Sequence, residues 1–153
     1  MKKLICVMLT ILMIASLFAG CGAKADDGVI NIAIIQQLDH SSLDEIRLAM
    51  QAQLDKIAAE KGVKVEYKHF NGQNDTSILA QIGTQVVSDG YDLILPIATV
   101  AAQYAVTAAE GKNIPIVYAA VSDPETAGLT GMSNVTGVSD ALNTPFIMDM
   151  MFA

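Results

Sequence analysis

Between Val29 and Ile35 the chain reads VINIAII, an apolar run rich in branched side chains. A run with so little alternation predicts a strand buried on both faces, as in parallel sheets. From Ser42 the period changes, and Leu43, Ile46, Met50, Leu54 and Ile57 recur at the three- and four-residue intervals of one helix face. Ser42 and Glu45 have the spacing of a capping box, and Gly62 is placed to end the helix. VKVEYKHF, residues 63–70, then alternates strictly, which predicts a half-exposed strand at the margin of a sheet. NGQND is a turn, and from Asp75 a second helix carries Ile78, Leu79, Ile82 and Val86 on one side before Gly90. YDLILPIA is a short buried strand, where Pro96 is tolerable near the strand's end or where its missing donor faces no partner. An alanine-rich third helix runs from near Thr99 to Gly111, NIPIVYAAV is a fourth strand, and a short fifth is expected at Val135 to Val138.

Strands alternating with helices in this way predict an α/β fold, with a Rossmann-like parallel sheet, right-handed crossovers and helices on both faces. Ligands of such sheets bind beyond the carboxyl ends of the strands, where the strand order reverses. Those ends are residues 36–41, 71–74, 98–100 and 122–124, all polar or small.

The start of the chain follows a different pattern. Lys2 and Lys3 precede an uncharged apolar run over residues 4–19, and Phe18, Ala19, Gly20 and Cys21 close it. A basic region, an apolar segment and small residues are the parts of a secretory signal peptide. The run is marginal as a bilayer span, which needs about 20 apolar residues. Its end resembles the lipobox of bacterial lipoproteins, in which the leader is removed and the cysteine thiol is diacylated. The expectation is a signal peptide over residues 1–20 and a lipid-anchored chain beginning at Cys21, on the extracytoplasmic face of the cell membrane. The alternatives are an uncleaved anchor and a coincidental buried cysteine.

The hydrophobic share of 52% is inflated by this leader, and the remainder of the 153 residues has the make-up of one water-soluble domain. Cleavage would remove Cys6, leaving no disulfide in the mature chain. It would also remove Lys2 and Lys3 and no acid, taking the formal net charge from −7 to −9. So acidic a protein disfavours nucleic acid and anionic lipid as partners, and leaves the acyl chains to hold it to the membrane.

Neither G-x-G-x-x-G after the first strand nor G-x-x-x-x-G-K is present, which argues against nucleotide chemistry and against a cofactor bound that way. Asp39, His40 and Ser41 are triad residue types, but sequence neighbours cannot stack as orienter, base and nucleophile. No catalytic residue is assigned. His40 and His69 are the only histidines, too few and too scattered for a metal site. His69 is expected to face solvent, whereas His40 either touches a ligand or caps the first helix. Thr99 is either an N-cap or part of a carboxylate receptor at a helix N-terminus. Asp123, after Ser122 and before Pro124, either pairs with a ligand ammonium or makes an Asx turn. The sequons at Asn74 and Asn134 are discounted, because the lipobox points to a bacterium.

The segments IAIIQQLDHSSLDEIR, DLILPIATVAAQ, IPIVYAAVSDP and NVTGVSD together resemble the substrate-binding proteins of ABC importers. More narrowly, they resemble the branch that includes tryptophan- and tyrosine-type amino-acid binders. The resemblance covers almost all of residues 29–140. It implies one lobe of a type I periplasmic-binding-protein fold, with a small molecule, an amino acid and more narrowly an aromatic one, trapped between two lobes and passed to ABC permease subunits. Carried over by position, Gln36, His40, Thr99, Ala101, Ser122 and Asp123 are the expected ligand-binding residues. Val100 stands where the family usually has proline. The organisation expected is a tether over residues 21–28, an N-terminal lobe over 29–140, and a truncated hinge with the start of a missing second lobe over 141–153. A single lobe offers a ligand one wall, so weak or no binding by this chain alone is expected. An extracellular sensor lobe that signals to a receptor is the alternative within binding proteins; a small Rossmann-like enzyme is the alternative outside them.

Overall fold

A computed structural model describes residues 28–152. The predicted leader, Cys6, Cys21 and all of the tether but Gly28 lie outside the described residues. The elements, in order, are β1 (Val29–Gln36), α1 (Ser41–Lys61), β2 (Lys64–Asn71), α2 (Thr76–Ser88), β3 (Leu93–Ile97), α3 (Thr99–Ala108), β4 (Ile116–Val121), β5 (Val135–Ser139) and α4 (Thr144–Phe152). The five strands form one sheet in the order β2-β1-β3-β4-β5, and every neighbouring pair is parallel.

The layers follow from strand order and handedness. From β1 the chain moves outward to β2, then returns across β1 to β3 and continues to β4 and β5. Right-handed crossovers place helices for the two directions on opposite faces. On one face Ile32, Ile34, Leu95 and Ile97 pack under α1 through Leu43, Ile46, Met50 and Leu54. On the other, Ala33, Ile35, Ile94 and Ile116 pack against Leu79, Ile82 and Val86 of α2 and Ala101 and Ala105 of α3. The link from β4 to β5 has no helix, but its Leu129 is buried with Ala102, Tyr118 and Val121 and covers that end of the second face. β1 is accordingly buried on both faces, and β2 alternates between exposed and part-buried positions over Lys64–Lys68 at the margin, as its sequence predicts, before Phe70 turns into the core.

Pro96 lies next to last in β3, a central strand, paired in register with Ile35. The Ile94 and Ala98 amides donate to Pro115 and Ala119 across β4 at 3.0 and 2.9 Å. The rung between them is the one a proline cannot make, so β3 and β4 pair only on either side of it.

Two helix starts differ from the sequence expectation. The cap of α1 is His40, extended at φ −155° and ψ 135°, whose Nδ1 accepts from the Ser42 amide at 3.3 Å. The helix thus begins one residue before Ser42, and the Ser42–Glu45 capping box does not form. Thr99 is not an N-cap either, because that position falls to Ala98. By contrast α2 is capped as predicted, with Asp75 accepting from the Ser77 and Ile78 amides at 2.7 and 3.1 Å.

Helices α2 and α3 approach closely at Gly83. A Cβ there would lie 2.8 Å from Ala108 Cβ and 3.2 Å from the Tyr104 carbonyl oxygen. Gly83→Ala gains up to about 1 kcal/mol of helix propensity but overpacks at a cost of about 1–3 kcal/mol. The expected outcome is a lower urea midpoint, with Gly83→Val lower still; an unchanged or higher midpoint for both would show that the helices part freely.

Candidate functional site

Because all strands run one way, Gln36, Asn71, Ile97, Val121 and Ser139 finish at the same end of the sheet. Main-chain bonds lace the departing loops together. The Gly72 amide donates to Gln36 at 2.8 Å, Gln37 to Ile97 at 3.3 Å, Asn74 to Gln37 at 2.9 Å and Asp140 to Val121 at 3.3 Å. Side chains add Gln37 Nε2 to Asn74 Oδ1 at 3.2 Å, Asn71 Nδ2 to Asp39 Oδ1, and Ser139 Oγ to the Ser122 carbonyl at 3.2 Å.

The six residues carried over from the resemblance divide into two groups. His40, Ser122 and Asp123 are exposed and Thr99 is part-exposed. Gln36 and Ala101 are each 0% exposed, so neither presents a surface to a ligand in this conformation. Ala101 packs into the core beneath the start of α3. Gln36 is the one fully buried polar residue among those described, and its amide is spent internally. Its Nε2 donates to the Leu38 carbonyl at 2.8 Å and to Asp44 Oδ1 at 3.1 Å, while its Oε1 accepts from Arg47 Nε at 3.2 Å. Arg47 closes the triangle by donating to Asp44 Oδ1 at 3.2 Å. The bonds from Gln36 and Arg47 hold the Asp44 carboxyl below its ordinary value.

The three helices that begin at this end are treated differently. α1 and α2 carry side-chain caps, but α3 has none. Ala98, at its N-cap, holds φ 78° and ψ 159°, a region populated almost only by glycine. It is pinned by its own amide on Ala119 and by its carbonyl accepting from Ala102 at 3.1 Å. One strand over, Ala120 also has a positive φ, 54°, at the irregularity in β4–β5 pairing between Tyr118 and Val121. The extra residue turns Val121 into the core, where it is fully buried. The Thr99 hydroxyl beside these alanines bonds to no other described residue, and it and the amides of the part-exposed Thr99 and Val100 are left without partners at the helix start.

Asp123 makes the turn its sequence context allowed: Thr126 donates to it from its amide at 3.0 Å and its hydroxyl at 2.6 Å. Those bonds hold its carboxyl below the ordinary value, and a carboxylate keeps lone pairs for a further donor. His40 is likewise a cap with its Nε2 still open to solvent. Asp39 is engaged by Asn71 and His40 by Ser42, so the Asp39, His40 and Ser41 side chains form no triad. His69, exposed as predicted, lies on the α1 face in register with Ile34. Burial and the nearby Arg47 guanidinium push it below its ordinary value, against the pull of Asp39 and Asp44. A hollow of about 420 Å³, lined by Val106, Glu110, Lys112, Ile116 and Asn134, lies away from these loops, at the amino ends of β4 and β5.

Comparison with known proteins now decides the family. The family described as ABC transporter substrate binding protein matches residues 31–147. The chain belongs to that family. Its members are binding proteins rather than enzymes. A curated relative, the tyrosine-binding protein of Clostridioides difficile strain R20291, is 35% identical over 126 residues, covering 79% of this chain and 36% of the relative. A Streptococcus pneumoniae ABC domain solved in complex with L-Trp is 37% identical, with a TM-score of 0.62 over 72% of this chain and 38% of that one. The ligand-free, open structure of a Clostridium difficile substrate binding protein with adhesive properties is 34% identical, with a TM-score of 0.71, covering 80% and 42%. The chain therefore spans about two-fifths of the length of these relatives, and the likeness carries the one-lobe type I periplasmic-binding-protein architecture.

Sequence reasoning did not single out Arg47, which looks like any charge on a helix surface, nor the two positive-φ alanines, which have no sequence signal. Two outcomes follow from this geometry. Ala98→Gly removes strain of about 1–3 kcal/mol, less the up to about 1 kcal/mol of backbone entropy glycine adds, so the urea midpoint should rise; a fall would show that Ala98 is unstrained. The second concerns acid. Folding lowers the pKa of His69, Asp44 and Asp123, so the unfolded chain binds protons more tightly and stability falls as pH falls. Loss should start near the ordinary histidine value of 6.5 and deepen near the ordinary aspartate value of 3.8. Urea midpoints across this range should show both windows, and His69→Gln should flatten the upper one alone.

Proposed function

We propose that this chain is the N-terminal lobe of a solute-binding lipoprotein that delivers an amino acid, and more narrowly an aromatic one, to the permease of an ABC importer. The observation that carries the ligand class is the pairing of opposite electrostatic ends on adjacent strands. The uncapped start of α3 after β3 favours a carboxylate, and the Asp123 carboxylate after β4 favours an ammonium. A zwitterion needs both. The narrower choice of an aromatic side chain is supported by the relatives, one called a tyrosine-binding protein and one solved with L-Trp.

In this reading His40, Thr99, Ser122 and Asp123 contact the ligand, while Gln36 and Ala101 support them from below. The lobe supplies one wall and binds weakly alone, because closing a second wall buries most of a small ligand's surface. Anchoring is through lipid on Cys21, supported by the basic pair, the apolar run and the small residues before the cysteine.

Amide NMR of this lobe titrated with L-tryptophan and L-tyrosine should move resonances of His40, Thr99, Ser122 and Asp123, with a Kd weaker than about 1 mM, or under about 4 kcal/mol. L-glutamate should move them less. Shifts confined to the hollow at the amino ends of β4 and β5 would overturn the site, and micromolar affinity would overturn the one-wall argument. In the bacterial host, Cys21→Ala should move the protein out of the membrane fraction or leave its leader uncleaved; normal processing and unchanged membrane retention would refute lipidation.

A further inference from the structure

Gln36 occupies the last position of a strand whose preceding residues are buried, and the next four residues form the loop that brings His40 to the carboxyl end of the sheet. The loop's ends are held by its neighbours: the Gln37 amide donates to Ile97 at 3.3 Å, the Gln37 carbonyl accepts from Asn74 at 2.9 Å, and the His40 carbonyl accepts from Asp44 at 2.9 Å. Between those ends, the Leu38 carbonyl is held by the Gln36 side chain at 2.8 Å. What orients that side chain lies on α1: Arg47 holds its oxygen, and Asp44 its nitrogen. An amide oxygen fixed by a guanidinium fixes the amide plane, so the two N–H groups of Nε2 are directed one at Leu38 and one at Asp44.

We propose that Arg47, acting through the buried Gln36 amide and the Asp44 carboxylate, is a positioning residue that sets the loop over residues 37–40 and thereby the placement of His40 toward ligand. The functional half of this proposal rests on the reading that a ligand meets this end of the sheet; the effect on the loop does not. Arg47 also donates to Gln51 Oε1 at 3.3 Å one turn along, which keeps its guanidinium aligned with the helix and directed at the strand end. A packing role alone would need only the bulk and the aliphatic stem of the side chain. A positioning role needs the hydrogen bonds.

Amide exchange on the ligand-free chain tests the loop. In Gln36→Leu and Arg47→Gln, the Gln37 and Ser42 amides should exchange at least tenfold faster, while Ile34 and Ile94 in the core keep wild-type rates. Asp44→Asn retains an oxygen acceptor for both partners and should behave as wild type, whereas Asp44→Ala should loosen the loop. Should a variant be globally destabilised, all four amides accelerate together, and the Asp44→Asn and Asp44→Ala comparison then decides. Equal acceleration of loop and core in every variant, or identical rates for the two Asp44 variants, would reduce the network to packing. A titration with L-tryptophan separates the functional half. The shift at His40 should vanish in Arg47→Gln while those at Thr99 and Ser122 persist, and its retention would overturn the proposed effect on His40. If wild type shows no shift at any of the three, the ligand reading fails, and the exchange rates still judge the loop.

Discussion

Ile32, Ala33, Ile34 and Ile35 are each at most 2% exposed, so β1 has to be covered on both faces and paired along both edges. A parallel sheet meets that demand with crossovers of one hand, and the rest of the arrangement follows. Stepping outward from β1 to β2 sets α1 on one face. Returning past β1 to β3 and β4 sets α2 and α3 on the other. The reversal leaves β1 and β3 side by side, with the loops from their carboxyl ends departing to opposite faces. The opening between those loops is where such a sheet meets a ligand. The position of the candidate site is therefore a consequence of burying one apolar strand.

The two faces are held by different physics. α2 and α3 lock onto the sheet through fully buried apolar residues such as Leu79, Val86, Ala101 and Ala105, with Gly83 permitting close contact between the helices. α1 has no fully buried residue along its 21 positions. Its N-terminal half is tied to β1 by the polar triangle of Gln36, Asp44 and Arg47 as well as by its half-buried apolar stripe. Leaving the Gln36 amide unsatisfied would cost about 1–3 kcal/mol, so the helix that roofs this face must also supply its partners. The cover over the first face and the shape of the loop that carries His40 thus depend on the same three side chains.

Periodicity made the scaffold legible, because a period of 2, a period near 3.6 and an unbroken apolar run are distinct patterns, and VINIAII, VKVEYKHF and the Leu43–Leu54 stripe each follow one clearly. Local motifs were less reliable for a physical reason. Ser42 and Glu45 match a capping box, yet the cap is whichever residue leaves β1 extended just before the helix, and that residue is His40. Thr99 lost the cap position to Ala98 in the same way, because pairing of Ala98 with Ala119 forces the last extended backbone onto an alanine. Positive φ is signalled by glycine, asparagine or aspartate and not by alanine, so Ala98 and Ala120 have no signature in the chain. Gln36 was expected to face a ligand, whereas at the end of a buried strand its amide is spent inside the protein.

On the proposed reading, the magnitudes available at the carboxyl end predict that one lobe alone orients a ligand more than it holds it. An exposed helix N-terminus favours an anion by about 0.3–1 kcal/mol, and an exposed ion pair contributes about 0–1 kcal/mol. Together these fall far short of the roughly 8 kcal/mol of a micromolar complex. Neither group needs to change for the sum to rise. Water must be excluded, because the attraction between charges at a fixed distance grows as the effective dielectric constant drops from that of bulk water toward about 20. A single open wall cannot exclude water. On the amino-acid reading, the start of α3 and Asp123 orient the zwitterion and select its class, and the opposing surface supplies affinity by sealing it. Discrimination among amino acids then belongs to whatever meets the side chain, while recognition of the backbone charges is already built into the ends of β3 and β4.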